Sequence, residues 1–238
     1  MLRLVNAHRG EHQKAVLCSS PYPAHRFPRE GCQGFHCSGS SDREVKIDRK
    51  RSGKMDKIAI FMEGGYISKL LKQNFGSISV DFVKLANWIA SGMEILRVYY
   101  YDCPPYQSGS PTPREQELLS KKQKFFYNIN RLPKFEVKEG RLEYRGIDHN
   151  GVPIFSQKRV DIMLGVDLTR LSIKKAISRA AILSGDSDYI PAIQAAKDEG
   201  ISIRLIHGPI ETYHDQLWDV VDERMEITAD ILDACRLK

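Results

Sequence analysis

Residues 180–189 read AAILSGDSDY, an apolar run that ends in a turn carrying two acids, and this stretch decides the fold. A short apolar run bounded by turn residues is typical of a strand buried inside a parallel sheet. Helical spacing follows from Tyr189 to Glu199, Gly200 closes the helix, and Ile201 to Ile206 is apolar again. The order of strand, turn, helix and strand predicts a βαβ unit.

The same alternation of strands and helices extends toward the N-terminus as far as Met55. Lys57 to Met62 is a second apolar run, which ends at Glu63, and Ile95 to Tyr101 is a third. Helical spacing occurs between and after these runs, at residues 66–75, 81–91, 113–130 and 160–173, with Thr112 as the predicted cap of the third helix. We therefore expect an α/β domain with a central, mainly parallel sheet flanked by helices.

Three segments have other patterns. Residues 135–144 alternate as a hairpin does, and residues 146–157 read as a polar loop. Residues 211–236 have mostly helical spacing, with apolar stripes near Leu217 and Ile231. Such stripes most often cover a core, although the surface of a homodimer is an alternative.

The net charge of +6 is unevenly distributed along the chain. Residues 1–54 hold 11 basic and 5 acidic side chains, whereas residues 55–238 hold 25 of each. The basic balance therefore does not indicate that a folded domain attracts nucleic acid. We expect residues 1–54 to be a disordered basic leader and residues 55–238 to form the domain with its C-terminal helices. The abrupt change at Met55 also suggests that Met55 is the natural start.

The cysteine pattern indicates a reducing compartment. Five cysteines with loose spacing do not make a disulfide framework, which favours a cytoplasmic protein. In the leader, Cys32, His36 and Cys37 could be drawn as zinc ligands, with Cys18 or His25 as a fourth, and the simpler interpretation is an unstructured tail. The chain has no run of about 18 apolar residues, so we expect no membrane-spanning segment.

Acidic residues stand where the predicted strands end. Glu63 ends the first strand, Asp186 ends the strand of residues 180–183, and Asp188 lies two residues further on. Asp161 opens the helix of residues 160–173. Sites in parallel α/β sheets form at the carboxyl ends of the strands. Clustered carboxylates repel one another unless a cation neutralises them, and Mg²⁺ or Mn²⁺ prefers oxygen ligands.

Each acid also has a simpler interpretation. Asp161 and Asp188 could be helix N-caps, and Gly185 could be an ordinary turn residue. Glu63 could be one exposed acid at a strand end. Three acids at equivalent positions nevertheless favour a divalent metal site over three separate coincidences.

Three segments carry a family resemblance. The SGDSDY of residues 184–189, after an Ala-Ile-Leu strand, closely resembles the SGDSDF signature of NYN domains, including the LabA-like group. Residues 157–168, QKRVDIMLGVDL, resemble the family's KGVD segment and the helix after it. Residues 61–66, FMEGGY, stand where the family has a strand ending in IDGxN or IDGGY. The three segments occur in family order.

The resemblance implies a PIN-like fold and an acidic pocket that binds Mg²⁺ or Mn²⁺. By position, four residues match the family's metal-binding and catalytic acids: Glu63, Asp161, Asp186 and Asp188. Asp167 also matches a frequently acidic position. It lies six residues beyond Asp161, about 600° round a helix, so we assign it a supporting role.

The chain departs from the family pattern at two places. Glu63 replaces the usual Asp, and its added methylene moves the carboxylate by about 1 Å, a shift that can cost ~10²-fold in rate. Lys158 and Arg159 stand where Lys-Gly is common, and Arg159 could contact a phosphate or simply be an exposed charge. With Ser184, these two cations are the candidate substrate contacts.

The sequence gives only weak signals for RNA contacts other than the residues around the acids. The candidates are a helix with Lys121, Lys122 and Lys124 and a hairpin with Arg141 and Arg145, although charged faces are usually just solvated. Tyr99, Tyr100 and Tyr101 are expected to alternate between core and surface along their strand rather than stack on bases.

The resemblance supports three functional hypotheses. The first is a metal-dependent endoribonuclease that hydrolyses RNA phosphodiester bonds. The second is an RNA-binding or regulatory protein with weak or no nuclease activity, because Glu63 replaces Asp. The third is another metal hydrolase that acts on small phosphoesters. The sequence has no GxSxG, Walker loop or dinucleotide fingerprint, so acyl transfer and nucleotide-cofactor chemistry rank low.

Overall fold

The computed structural model describes residues 56–237 of the chain. In this part the strands are β1 (Lys57–Glu63), β2 (Glu94–Asp102), β3 (Phe135–Glu139), β4 (Arg141–Ile147), β5 (Pro153–Lys158), β6 (Arg179–Leu183), β7 (Ser202–His207) and β8 (Glu223–Glu226). The helices are α1 (Gly64–Asn74), α2 (Phe82–Ala90), α3 (Pro113–Asn130), α4 (Val160–Ile173), α5 (Ile190–Asp198), α6 (Asp215–Val220) and α7 (Ala229–Ala234). The predicted leader, the Met55 start and the zinc alternative concern residues outside the described ones.

Six strands form one sheet in the order β3-β2-β1-β6-β7-β8, and every neighbouring pair is parallel. Met62 of β1 lies beside Leu183 of β6, and Glu63 lies beside Tyr101 of β2. The carboxyl ends of these central strands therefore meet at one edge of the sheet. The α/β architecture with a parallel sheet, predicted from the sequence, is confirmed.

Helices cover both faces of the sheet, and the strand sequences reflect this. On one face Ile60 and Met62 pack with residues of α1 and α2, and on the other Ala59 and Phe61 pack with residues of α4 and α5. Strands buried on both sides need apolar side chains at every position rather than at alternate ones. This explains the continuous apolar runs of β1 and β6.

The expectation that three successive tyrosines alternate between core and surface is wrong. Tyr99, Tyr100 and Tyr101 are all buried. Tyr100 belongs to the core on one face of the sheet, and Tyr99 and Tyr101 belong to the core on the other. The alternation exists, but it runs between two cores because β2 lies inside the sheet between β3 and β1.

The predicted hairpin at residues 135–144 is also wrong. β3 extends the main sheet parallel to β2, because Phe135 is buried and Val137 packs on the same core. β4 pairs instead with β5, antiparallel, in a separate two-stranded ribbon. Residues 153–157, expected to belong to the polar loop of residues 146–157, therefore lie in β5, the second strand of that ribbon.

The C-terminal part is less helical than predicted. Residues 211–236 contain two short helices, α6 and α7, and between them β8, which adds a sixth strand to the sheet. Leu217 and Leu232 are buried, so the apolar stripes do cover the core. The start of α3 is as predicted, since Thr112 forms a capping box with Glu115.

Candidate active site

Glu63 lies at the end of β1, immediately before α1, and is only partly exposed. The next residue must be glycine. A Cβ atom at Gly64 would overlap the Asp102 carboxylate and the Tyr100 hydroxyl. The close approach of β2 at this point therefore sets the direction in which the chain leaves β1, and it places Glu63 at the carboxyl edge of the sheet.

Ser184 connects Glu63 to the acidic turn after β6. Its hydroxyl donates a hydrogen bond to Glu63 Oε2 at 2.5 Å and accepts one from the backbone N–H of Asp186 at 3.0 Å. The Ser184 side chain is fully buried, so its position is determined by packing as well as by these bonds. This candidate substrate contact thus lies behind the acids, where it positions the Glu63 carboxylate.

The turn at Gly185 and Asp186 is held from the other side by the loop after β7. The backbone N–H of His214 donates to the Gly185 carbonyl at 3.1 Å. A Cβ atom at Gly185 would overlap the carbonyl oxygen of Thr212 and the ring of Tyr66. Gly185 is therefore required by a close approach of two chain segments, which is more than an ordinary turn demands.

The two aspartates proposed as alternative helix caps do not cap helices. Arg159 occupies the N-cap position of α4, and Asp161 lies in the first turn, where the Tyr189 hydroxyl donates to its Oδ1 at 3.1 Å. Asp186 is the residue that caps the short 3₁₀ turn of residues 187–189, accepting from the N–H of Asp188 at 3.0 Å. Asp188 itself is exposed.

Electrostatics couple these acids to one another. Burial raises the pKa of Glu63 to about 7; the hydrogen bond from Ser184 opposes this rise, and the charges of Asp186, Asp161 and Asp102 add to it. Burial also raises the pKa of Asp161, and the charges of Asp186 and Asp188 raise it further. The carboxyl edge of the sheet is thus a region where negative charge is unfavourable without a cation.

A cavity of about 590 Å³ opens beside Glu63 and Asp186. Its remaining wall comes from α1, β5, the turn after β6 and the loop after β7, namely Gly65, Tyr66, Lys69, Gln157, Gly185, Glu211, Thr212, Tyr213 and His214. The cavity therefore has both acids and the cation Lys69 in its wall, which is an arrangement that can admit a phosphate group near a cation held by the acids.

The carboxylate oxygens of these acids are the type of ligand that a hard divalent ion prefers, but the structure limits how many of them can bind it directly. Among residues 56–237, no three His, Cys, Asp or Glu side chains lie close enough together to hold a metal. Mg²⁺ commonly uses one or two carboxylates and keeps several waters. The oxygen donors therefore suit a water-rich ion bound by a pair of acids, rather than a closed site with four direct protein ligands.

Asp102 is a further acid of this region, and it was not selected from the sequence. It ends β2 and is 5% exposed, and its Oδ2 pairs with Lys122 Nζ at 2.5 Å. Its Oδ1 accepts from the N–H of Cys103 at 2.7 Å. The same rule about strand ends that indicated Glu63 would have indicated Asp102, but the pairing with Lys122 on α3 is visible only in three dimensions.

The other candidate residues lie around the acids. Lys158 and Arg159 are both exposed, and the charge of Lys158 lowers the pKa of Asp161. Asp167 is buried away from the cavity, where Tyr101 donates to it at 3.1 Å and Arg170 at 2.8 Å. Asp167 and Asp161 thus have different hydrogen-bond partners, and the supporting role of Asp167 stays a prediction.

Comparison with known proteins identifies the family. The family model of the NYN domain matches residues 57–226, which includes β1 and the acidic turn after β6. The chain belongs to the NYN domain family. NYN domains are members of the nuclease-like PIN superfamily, whose nucleases generally use divalent metals, and NYN domains generally bind RNA. The mostly parallel sheet flanked by helices agrees with a PIN-like fold.

A solved structure has the same fold as this NYN protein. It is the crystal structure of a protein of unknown function, VPA0982 from Vibrio parahaemolyticus RIMD 2210633, with a TM-score of 0.52 and 18% sequence identity. The match covers 76% of this chain and 98% of that one. No curated protein matches the chain.

Within residues 56–237, none of the helices has the length and apolar character that crossing a bilayer requires.

Proposed function

We propose that this NYN protein is a metal-dependent endoribonuclease that hydrolyses RNA phosphodiester bonds at the cavity beside Glu63 and Asp186. The proposal rests on the hydrogen bonds that orient three acidic side chains. Glu63, Asp161 and Asp186 each accept a hydrogen bond on one carboxylate oxygen, from Ser184, Tyr189 and the Asp188 N–H respectively. No group within residues 56–237 donates a hydrogen bond to the second oxygen of any of the three.

That pattern is what a site for a cation needs. Carboxylates that bind metals are usually oriented by hydrogen bonds from behind, and this leaves the other oxygen free for the ion or its waters. The raised pKa of Glu63 adds to the case: burial is its main cause, and the charges of Asp186 and Asp161 raise it further. A bound Mg²⁺ or Mn²⁺ would neutralise these charges and make water a better nucleophile toward a phosphodiester.

The side chains of this protein would supply the remaining parts of the reaction. Asp186 and Asp161 would hold the ion, with the exposed Asp188 near them in the chain. Glu63, fixed by Ser184, would orient the attacking water or complete the ion's environment. Lys69, which lines the cavity, and Lys158, whose charge acts on Asp161, would attract the phosphates of the substrate. We also propose a cytoplasmic location, because five cysteines with loose spacing suit a reducing compartment.

The competing proposal is a regulatory NYN protein in which Glu63 has weakened the site. The contact between Ser184 and Glu63 favours the nuclease, because the longer side chain reaches a buried hydroxyl at 2.5 Å and is therefore accommodated rather than displaced. In the nuclease, Glu63→Asp shortens this reach by about one methylene, and we expect a loss of activity of up to ~10²-fold. A sharp gain of activity in Glu63→Asp would favour the regulatory alternative.

The experiment that tests the nuclease uses the full chain and a labelled single-stranded RNA. Cleavage is followed with Mg²⁺, with Mn²⁺ and with EDTA, in the wild type and in Asp186→Asn. Asp219→Asn is the matched control, since Asp219 is an exposed acid of α6 outside the cavity lining. We expect metal-dependent cleavage that Asp186→Asn abolishes and Asp219→Asn retains. Cleavage of a small phosphoester but not of RNA would instead support another metal hydrolase.

A further inference from the structure

The ribbon of β4 and β5 exposes an aromatic patch that the proposed site does not use. This ribbon makes its own two-stranded sheet, separate from the main one. Tyr144 of β4 is 47% exposed and Phe155 of β5 is 43% exposed. Two large rings on the surface of a small ribbon are costly to leave in water, so they indicate a binding surface.

The rings form one continuous patch with Tyr106 from the loop after β2. Tyr144 and Phe155 lie directly opposite each other in the ribbon, with ring centroids 5.9 Å apart. The Tyr106 ring lies 6.0 Å from Tyr144 and 5.3 Å from Phe155. We call these three residues the ribbon patch. Its rings are tilted relative to one another, so they offer more than one face to a flat ligand.

The ribbon patch is continuous with the acidic cavity. Gln157 lines that cavity and lies two residues from Phe155 on the same strand. Residues two apart on a strand point to the same face and are about 7 Å apart. A chain that leaves the cavity past Gln157 therefore reaches Phe155 and Tyr144 within one or two of its units.

Basic side chains lie on the same two strands as the ribbon patch. Arg141 lies opposite Lys158 in the antiparallel pairing, and Arg145 follows along β4. Glu143 pairs with both arginines and so neutralises only part of their charge. Three cations against one acid next to aromatic rings complement a polyanion whose units carry flat apolar rings, which is the chemistry of nucleic acid.

We propose that the ribbon patch is a stacking platform for unpaired bases of single-stranded RNA that extends from the acidic cavity. Bases in a duplex are already stacked on their neighbours, whereas unpaired bases can lie on aromatic side chains. Phosphates of the same strand lie near Arg141, which lines a cavity together with Tyr106 and Tyr144. The proposal rests on the proposed function for the identity of the ligand as RNA, and it adds which form of RNA is bound and by which element.

The test measures binding without cleavage. A labelled, unstructured single-stranded RNA of about 12 nucleotides is titrated with full-length protein in EDTA, and fluorescence anisotropy reports binding. Tyr144→Leu and Phe155→Leu keep an apolar side chain but remove the ring. Tyr127→Leu is the matched control, because Tyr127 is a 61% exposed ring on α3, outside the ribbon. Circular dichroism checks that each variant is folded.

We expect each ribbon variant to bind the RNA about tenfold more weakly, Phe155→Trp to bind as the wild type does, and Tyr127→Leu to be unchanged. A duplex of the same sequence should bind equally to the wild type and the ribbon variants. If the ribbon variants bind single-stranded RNA as tightly as the wild type does, the proposal is overturned. Because leucine keeps the patch apolar, that result would indicate a surface that docks another protein. Wild-type protein that does not bind the RNA would also overturn it.

The outcomes separate this proposal from the nuclease. If the wild type binds RNA through the ribbon patch but does not cleave it with Mg²⁺ or Mn²⁺, the nuclease is wrong and the stacking platform stands. If the wild type cleaves and Asp186→Asn does not, but the ribbon variants bind and cleave normally, the nuclease stands and the platform is wrong.

Discussion

At the scale of single residues, Glu63 has the most informative environment. Its carboxylate is held by a buried serine in a region that other acids make negative, and its pKa is raised to about 7. The rule about strand ends was sufficient to select Glu63 and Asp186 from the sequence. The bond from Ser184 was not predictable, because it depends on two strands meeting at one edge in a particular register.

The raised pKa of Glu63 makes a prediction for the metal-free protein. Because the pKa rises from its ordinary 4.5 to about 7 on folding, the folded state binds the proton more tightly than the unfolded state. The resulting stability is fully present below pH 4.5 and is lost as pH rises through about 7. We expect a fall in the free energy of unfolding of about 3 kcal/mol across this window.

Urea unfolding in EDTA at several pH values measures this dependence. The glutamine side chain of Glu63→Gln is neutral at every pH. We therefore expect this variant to lose most of the fall in the free energy of unfolding that the wild type shows between acidic and mildly basic solution. An equal dependence on pH in Glu63→Gln and the wild type would show that Glu63 is not the group responsible.

Gly185 makes a second prediction at this scale. In Gly185→Ala the new methyl group would overlap the Thr212 carbonyl and the Tyr66 ring, and we expect a loss of about 1–3 kcal/mol in stability. Gly109→Ala is the matched control, since a Cβ atom there meets nothing within 4 Å. Thermal unfolding of both variants gives the comparison. A Gly185→Ala protein as stable as Gly109→Ala would contradict the close approach of the two loops.

At the scale of elements, α3 is attached to the sheet edge through an ion pair whose acidic partner is buried. Lys122 on α3 reaches Asp102 at the end of β2, and its ammonium also lies over the rings of Phe125 and Phe126. The sequence analysis considered Lys122 as a surface contact to RNA because its neighbours are charged. In the structure Lys122 is only partly exposed and pairs with Asp102, so it joins two elements.

Removal of that lysine should therefore destabilise the protein. Lys122→Met leaves the Asp102 carboxylate buried without its partner, and we expect a loss of about 3 kcal/mol. Adding Asp102→Asn should recover part of this loss, because the unpaired charge is then removed. Chemical denaturation of the wild type, both single variants and the double variant measures the coupling. If the stability loss of the double variant equalled the sum of the losses of the two single variants, a direct pair between Lys122 and Asp102 would be contradicted.

The incorrect prediction of a hairpin at residues 135–144 concerns how secondary-structure elements pair. The alternating pattern of residues 135–144 correctly indicated strands, but it could not tell which strand each would pair with. Phe135 and Val137 pack on the main core, which draws β3 to the sheet, and β4 pairs with the next strand instead. Strand pairing depends on distant partners, whereas periodicity is local.

At the scale of the whole molecule, the parallel sheet explains why the acids meet. β1 and β6 are adjacent and point the same way, so Glu63 and the turn after β6 emerge at one edge. The alternation of apolar runs and helices was sufficient to predict this arrangement and the fold class. The ribbon beside the cavity was not predictable, because its second strand had no strong apolar pattern.

We propose that this edge of the sheet binds a divalent cation through Asp186 and its neighbouring acids. Calorimetric titration of Mn²⁺ into the metal-free full chain tests for this cation site, with Asp186→Asn and the control Asp219→Asn alongside. We expect one Mn²⁺ site that is retained in Asp219→Asn and lost or greatly weakened in Asp186→Asn. Absence of Mn²⁺ binding to the wild type, or equal binding in Asp186→Asn, would contradict it.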